Sequence, residues 1–402
     1  MLNKNLPKSL LINVEDNRVR HFVRFFIGLT NTIITLLMNK SASYFRKFLC
    51  LFIGIVFSSI LQAQTIDQLI KKFDKSIDSL HAINEFNGNI LLAKNGVTLY
   101  EKSIGFTDSK TNHQLTLSSA FNLASISKTF TSALILMYVQ EGQLKVDDNV
   151  NKYIPTFPYK NITIRHLLNQ THGMIEYFDW IKDTLKINDT IDNQRLLRLI
   201  AQHKPALNSV PGEKFNYCNT GYAVLSVLLE KISGITYSEL LNKRIVQPLG
   251  LKNTYVQTVQ MPMSPKSRVY GMKYKDGYWN TFDLTSLDEV VGDGNIYSTV
   301  GDLLLWDQAL RNGKVLIPAL LQEAYTPAIV QEKPKMVYGF GWIINEPGKK
   351  VSHSGSWSGF KNNIVRDLQN GYTLISLSNG TAGMSSWKIH DEFEKAISNL
   401  NK

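Results

Sequence analysis

Hydrophobic spacing changes its period several times along this chain, and each change predicts an element. Ile66, Leu69, Ile70, Phe73, Ile77 and Leu80 recur at helical intervals and predict an amphipathic helix over Ile66–Phe86. Two short strand-like runs follow, Asn89–Ala93 and Val97–Tyr100. Lys94-Asn95-Gly96 joins them, and its Asn-Gly pair signals a tight hairpin. Ser103–Phe106 continues that sheet edge, and an unbroken apolar helical stretch runs from Ser125 to Val139. From about 145 to 285 the pattern is helical and loop-rich, punctuated by Pro155, Pro158 and Pro211-Gly212. Within it, Gly221–Lys231 reads as a long apolar-faced helix ending at Gly234. Strand patterns return at Gly339–Ile344, Val351–Ser354, Lys361–Val365 and Tyr372–Leu377, before a closing helix over Lys388–Asn401. The order predicts an α/β (α+β) fold, an antiparallel sheet flanked by helices with a helical subdomain inserted at about 145–285.

The first 63 residues follow a different rule. Phe48–Leu61 is a 14-residue apolar run without charge, preceded by Arg46-Lys47 and followed by Gln62-Ala63-Gln64. A basic flank, an apolar core and a small residue at a cleavage point describe a secretory signal. A membrane span needs about 20 apolar residues. Cleavage is expected after Ala63, leaving residues 64–400 as an exported domain, periplasmic or secreted. Membrane contact would come only through this segment if it stayed uncleaved. Met38 by itself opens a leader of ordinary length, so translation is expected to start there, with residues 1–37 as an upstream extension.

Composition then changes the picture in two ways. Residues 1–63 hold eight Lys/Arg and two Asp/Glu, so their removal lowers the net charge from +11 to +5. The remainder has no Lys/Arg stripe interleaved with aromatics, which sets nucleic acid aside as a partner. Cys50 lies in the leader and Cys218 is then alone, so no disulfide framework is available and stability rests on an apolar core.

The candidate chemistry begins at Ser125-Ile126-Ser127-Lys128. Serine and lysine three apart on a helix share a face, roughly 5–6 Å between Cβ atoms. The lysine amine can hold or take the serine proton, and a helix N-terminus favours developing negative charge. Ser127 and Ser354 have no base three residues downstream. Tyr217-Cys218-Asn219 follows 89 residues after Lys128, and His353-Ser354-Gly355 comes 134 after Asn219. A Cys218/His353 thiol site is the weaker reading, since a lone cysteine acts mostly as a small hydrophobe. His166 and His172 are six apart and cannot share a helix face as metal ligands, and Asp147-Asp148 reads as a helix-end loop. No cofactor signature or metal site is present in the sequence.

The order Ser-x-x-Lys, Tyr-x-Asn, then His-Ser-Gly on a strand resembles the penicillin-recognising serine hydrolases: class C β-lactamases, DD-peptidases and carboxylesterases of the same fold. Glu141–Asp148, Ile162–Leu168, Pro211-Gly212-Glu213, Gln247–Leu251 and Gly292–Thr299 resemble that family's punctuation, so the likeness covers roughly residues 80 to 395. The resemblance implies a β-lactamase/DD-peptidase-like fold and an acyl-enzyme on Ser125, hydrolysing an ester or amide bond in a small-molecule or peptide substrate. It makes Lys128 a base whose pKa must fall from about 10.4. It makes Tyr217 a proton relay whose phenol Lys128 would acidify, and Asn219 an amide for Lys128 and the substrate carbonyl. It places His353, Ser354 and Gly355 on a strand beside Ser125, with the Ser356 and Ser125 N–H groups as oxyanion donors. Gln170–Gly173 stands where the family often reads His-Thr-Ser-Gly and is expected to shape a loop. Class C enzymes usually carry lysine where His353 stands. With a pKa near 6.5, His353 is expected to hold a carboxylate weakly at pH 7 and better near pH 6. Peptidoglycan-type carboxypeptidase or β-lactamase activity is the alternative. A non-catalytic binder is a further one, against which the intact Ser125, Lys128, Tyr217 and Asn219 weigh.

Overall fold

The computed structural model of the chain describes residues 67–381, other than 112, 263–266 and 332–335, together with residue 389. The chain divides into two compact units, Met1–Leu69 and Ile70–Lys402. Nearly all of the first lies outside the described residues; the sheets and the candidate site belong to the second. The expected signal segment, its cleavage point, the Met38 start and all but one residue of the closing helix fall outside the described residues.

Strands β1 (Asn87–Lys94), β2 (Val97–Ile104), β3 (Phe121–Asn122), β4 (Tyr255–Val256), β5 (Met272–Lys275) and β6 (Tyr278–Thr281) precede β7 (Ile296–Ser298), β8 (Ile343–Glu346), β9 (Lys350–Trp357), β10 (Phe360–Asp367) and β11 (Tyr372–Thr381). The main sheet runs β2-β1-β11-β10-β9-β8, antiparallel throughout, with β5 pairing parallel to β11 and carrying β6. Asn95 and Gly96 turn the β1–β2 hairpin, both at positive φ, as a two-residue turn of that twist requires. A second, small sheet is ordered β3-β7-β4. The stretch 145–285 is helical and loop-rich and also contains β4, β5 and β6.

Alternation along the central strands feeds two cores. Ile90 and Leu92 of β1, with Val365, Tyr372 and Leu374, pack on Phe73 and Ile77 of α1 (70–82). Leu91 and Ala93, with Ile364, Ile375 and Leu377, face the larger core around Phe130 and Leu134 of α2 (Ser127–Gln140). A period of two therefore makes β1 apolar on both faces, which is why it reads as a continuous run. α2 is buried on nearly all sides, as an apolar helix without a polar face must be. Against α2 pack α4 (Asn219–Ser233) and α5 (Val300–Arg311), whose Trp306 stacks on Phe130, while α3 (Asn193–His203) packs on α4. α4 stops at Gly234, which takes the left-handed conformation open to glycine.

Candidate active site

Ser125 sits in a tight 3₁₀ turn, Ala124–Ile126, between β3 and α2. Asn122 shapes the entry: its Oδ1 accepts from Ala124 N at 2.8 Å, while its own carbonyl accepts from Asn362 Nδ2 at 2.8 Å. Ala124 holds φ +48, a left-handed conformation that a residue with a Cβ adopts at a cost. The register ties the turn to β7, with Leu123 N donating to Ile296 O and Ile296 N donating to Ser127 Oγ. On the other side, Gly355 of β9 lies so close that a Cβ there would stand 2.0 Å from Leu123 O. Only glycine lets the strand reach the Ser125 amide.

One turn on, Lys128 is fully buried, and its Nζ donates to Ser125 Oγ at 3.0 Å, Asn219 Oδ1 at 2.7 Å and the Asp293 carbonyl at 2.8 Å. Tyr217 and Tyr222 present their rings to it, with centroids 5.2 and 5.6 Å away. Burial drives the Lys128 ammonium below its ordinary range, opposed by the carboxylates of Asp293 and Glu176. A lysine so placed gives up its proton more readily than a solvated one. Tyr217 behaves otherwise: burial raises its phenol despite the Ser125 hydroxyl, and its Oη has no hydrogen-bond partner. The expectation that Lys128 would acidify Tyr217 therefore gives way, because desolvation, with the Asp293 and Glu176 carboxylates adding to it, raises the phenol. Tyr217 therefore stands beside Lys128 as a neutral O–H.

Glu176 carries no motif in the sequence, yet it organises the site. It accepts from both Asn219 N and Asn219 Nδ2 at 2.9 Å through Oε2, so a carboxylate 43 residues upstream anchors the N-terminus of α4. That orientation turns the Asn219 amide oxygen toward Lys128. Gln170, at φ +64, accepts from Cys218 N with its side chain and from Asn216 N with its carbonyl, and so shapes the Tyr217 loop. The Cys218 thiol donates to Ile175 O, and burial pushes it up to about 12, which leaves no thiolate for catalysis.

His353 is turned into the protein. Its Nδ1–H donates to Ser354 O at 2.6 Å, which leaves Nε2 to accept from Tyr338 Oη at 2.8 Å. Burial first, and Lys128 second, push the imidazole down to about 3. The expected protonation near pH 6 is thus corrected: His353 is neutral throughout the physiological range and is not among the residues lining the cleft. Ser354 and Gly355 continue β9 toward Ser356, which stands at the mouth with Ser125.

A cleft of about 370 Å³ opens beside Ser125, walled by Tyr177, Phe178, Asn219, Asp288, Asp293 and Trp357 among others. Phe178 and Trp357 stack at 4.8 Å, and Trp357 Nε1 donates to Asp288 at 2.7 Å. Among the described residues lining it there is no lysine or arginine; Lys361, opposite Ser356 across β9 and β10, is not part of the wall.

Fold and site together define a serine hydrolase built on an antiparallel sheet flanked by helices. A family model described as Beta-lactamase matches residues 67–398, and the chain belongs to that family. It is 33% identical over 342 residues to penicillin-binding protein 4* of Bacillus subtilis, covering 81% of this chain and 74% of that one. It is 26% identical over 282 residues to a D-aminopeptidase of Brucella anthropi, covering 68% of this chain and 52% of the relative. The crystal structure of a D-amino acid amidase from Ochrobactrum anthropi shares the fold with a TM-score of 0.70 at 22% identity, over 84% of this chain and 100% of that one.

Proposed function

We propose that the protein is an exported hydrolase that forms an acyl-enzyme on Ser125 and cleaves an ester or amide bond. The observation that carries this reading is the buried Lys128 amine 3.0 Å from Ser125 Oγ. Lys128 takes the serine proton as Oγ attacks the carbonyl carbon; Tyr217 then passes a proton to the leaving group as the C–O or C–N bond breaks and is reprotonated by the Lys128 ammonium. Water then releases the acyl group along the same path in reverse. Export rests on the charge-flanked apolar run Phe48–Leu61.

The absence of lysine and arginine from the described cleft wall, together with a neutral His353, favours substrates without a free carboxylate. The likeness to a penicillin-binding protein supports a second reading, a carboxypeptidase or β-lactamase acting on peptidoglycan-type substrates. A panel of aryl esters, amino-acid amides, D-Ala-D-Ala peptides and nitrocefin separates the two. A fluorophosphonate should label Ser125, and Ser125→Ala should abolish both labelling and turnover while the protein stays folded. Retained turnover in that variant would sink the acyl-enzyme reading.

A further inference from the structure

Asp293 brings a buried carboxyl to the site with only one hydrogen bond to hold it. Its segment cannot retreat. Gly292, at φ +99, packs so closely that a Cβ would stand 2.7 Å from Ser226 Cβ and Tyr222 O. The Gly292 carbonyl accepts from Thr131 Oγ1 at 2.6 Å, on the helix that carries Lys128. Asn193 brackets Val291 with two hydrogen bonds, and Asn295 Nδ2 donates to the carbonyls of Asp288 and Val290. The backbone carbonyl of Asp293 accepts from Lys128 Nζ at 2.8 Å, and its carboxylate acts on that ammonium. Asp293 is 5% exposed; its Oδ2 accepts one bond of 3.2 Å from Tyr177 Oη, and its buried Oδ1 has no partner.

We propose that Asp293 is a positioning residue of the acylation step, its carboxylate compensating the ammonium that forms when Lys128 takes the Ser125 proton. The inference rests on the acyl-enzyme reading of Ser125. In that step the Oγ–H bond breaks, an Nζ–H bond forms, and the freed oxygen pair attacks the carbonyl carbon. A positive charge appears on a buried nitrogen, where only a nearby opposite charge offsets lost hydration. Lys128 is faced by Asp293, Glu176, the Cys218 thiol, the Tyr217 and Tyr222 rings and the His353 imidazole. Asp293 is faced by Lys128, Glu176 and Tyr177. The thiol and the imidazole are neutral, and Glu176 already carries two Asn219 N–H groups. Of the two carboxylates that face Lys128, Asp293 favours the ammonium more than Glu176 does. Burial raises its carboxyl and Lys128 opposes that rise, as expected of two groups that charge together.

The test is the pH profile of kcat/KM for a neutral aryl ester in the wild-type protein and in Asp293→Asn. Without the carboxylate the ammonium is less favoured, so the acid limb should move to lower pH by about one unit or more. The plateau should fall as well, because the base is weaker. A limb that stays in place, or a loss equal at every pH, would overturn the proposal and leave Asp293 a packing residue. Should Asp293→Asn fail to fold, Asp293→Ser keeps a hydroxyl for Tyr177 and is read in the same way. Fluorophosphonate labelling of wild-type Ser125 at pH 8 tests the underlying reading separately: no adduct there sinks the acyl-enzyme, whereas an adduct with an unmoved limb sinks only the role of Asp293.

Discussion

Removing the Glu176 carboxylate should cost both stability and rate, by amounts the geometry bounds. Two N–H groups of Asn219 point at one oxygen, each at 2.9 Å. Hydrogen bonds to a charged acceptor contribute about 1.5–3 kcal/mol each. Against this stands the desolvation that raises the Glu176 carboxyl, which truncation relieves. Glu176→Ala should therefore lose about 2–3 kcal/mol, and Glu176→Gln about 1 kcal/mol, since an amide oxygen still accepts both bonds. For a domain of this size that is a Tm lower by about 4–6 °C for the alanine variant, extrapolating from smaller domains. Rate should suffer further. The Asn219 amide, no longer held, is free to rotate away from Lys128, so kcat should fall more than KM rises in both variants, and most in the alanine one. Calorimetry and initial rates on an aryl ester decide the matter. If Glu176→Ala lies within about 0.5 kcal/mol of wild type with kcat intact, Glu176 is not the anchor of α4.

Two further outcomes rest on the same geometry. Gly355→Ala places a methyl 2.0 Å from Leu123 O and 3.2 Å from Ser125 N, so the turn that carries Ser125 must shift. Displacements of about 1 Å cost roughly 10²-fold in rate, with about 1–3 kcal/mol lost to overpacking; an active Gly355→Ala would mean that β9 stands further from Ser125. Asp288, bonded to Thr285 and Trp357, is raised to about 6 by burial. A carboxyl whose folded pKa exceeds its unfolded one binds its proton more readily when folded, so its contribution to stability is present below the unfolded value and is lost as pH rises from about 4 to about 6. Asp288→Asn should flatten that decline in urea unfolding between pH 4 and 7, and an unchanged slope would refute the assignment.

Much of this was legible in the sequence because it is local. The Asn95-Gly96 turn, the alternation of β10 and β11 and the glycine stop of α4 are short-range facts, set by φ and by side-chain period. The Ser125–Lys128 pair is local too, since a helix brings positions three apart together. Asn219 was reachable by its motif alone, but the group that orients it was not. Glu176 sits in a loop between Ile175 and Tyr177 with no periodic pattern, and meets Asn219 only through tertiary packing. Asp293 was visible as a residue between two glycines, without any sign that its carboxyl would be buried beside Lys128. His353 shows the limit most plainly. Residue type suggested a titrating cation, while protonation is fixed by burial, which no neighbouring residue in sequence reports.

Ala124 has a bearing on how such an enzyme can change over time. A residue with a Cβ at φ +48 spends on the order of 1–2 kcal/mol that a glycine would not. Glycine would also loosen the turn that aims Ser125, because its backbone visits many more conformations before folding and after. Fold stability and aim thus pull this position in opposite directions. A lineage selected for robustness drifts toward the relaxed turn, and one selected for turnover keeps the strained one. The tension lies in a residue whose side chain is a single methyl, with no functional group of its own.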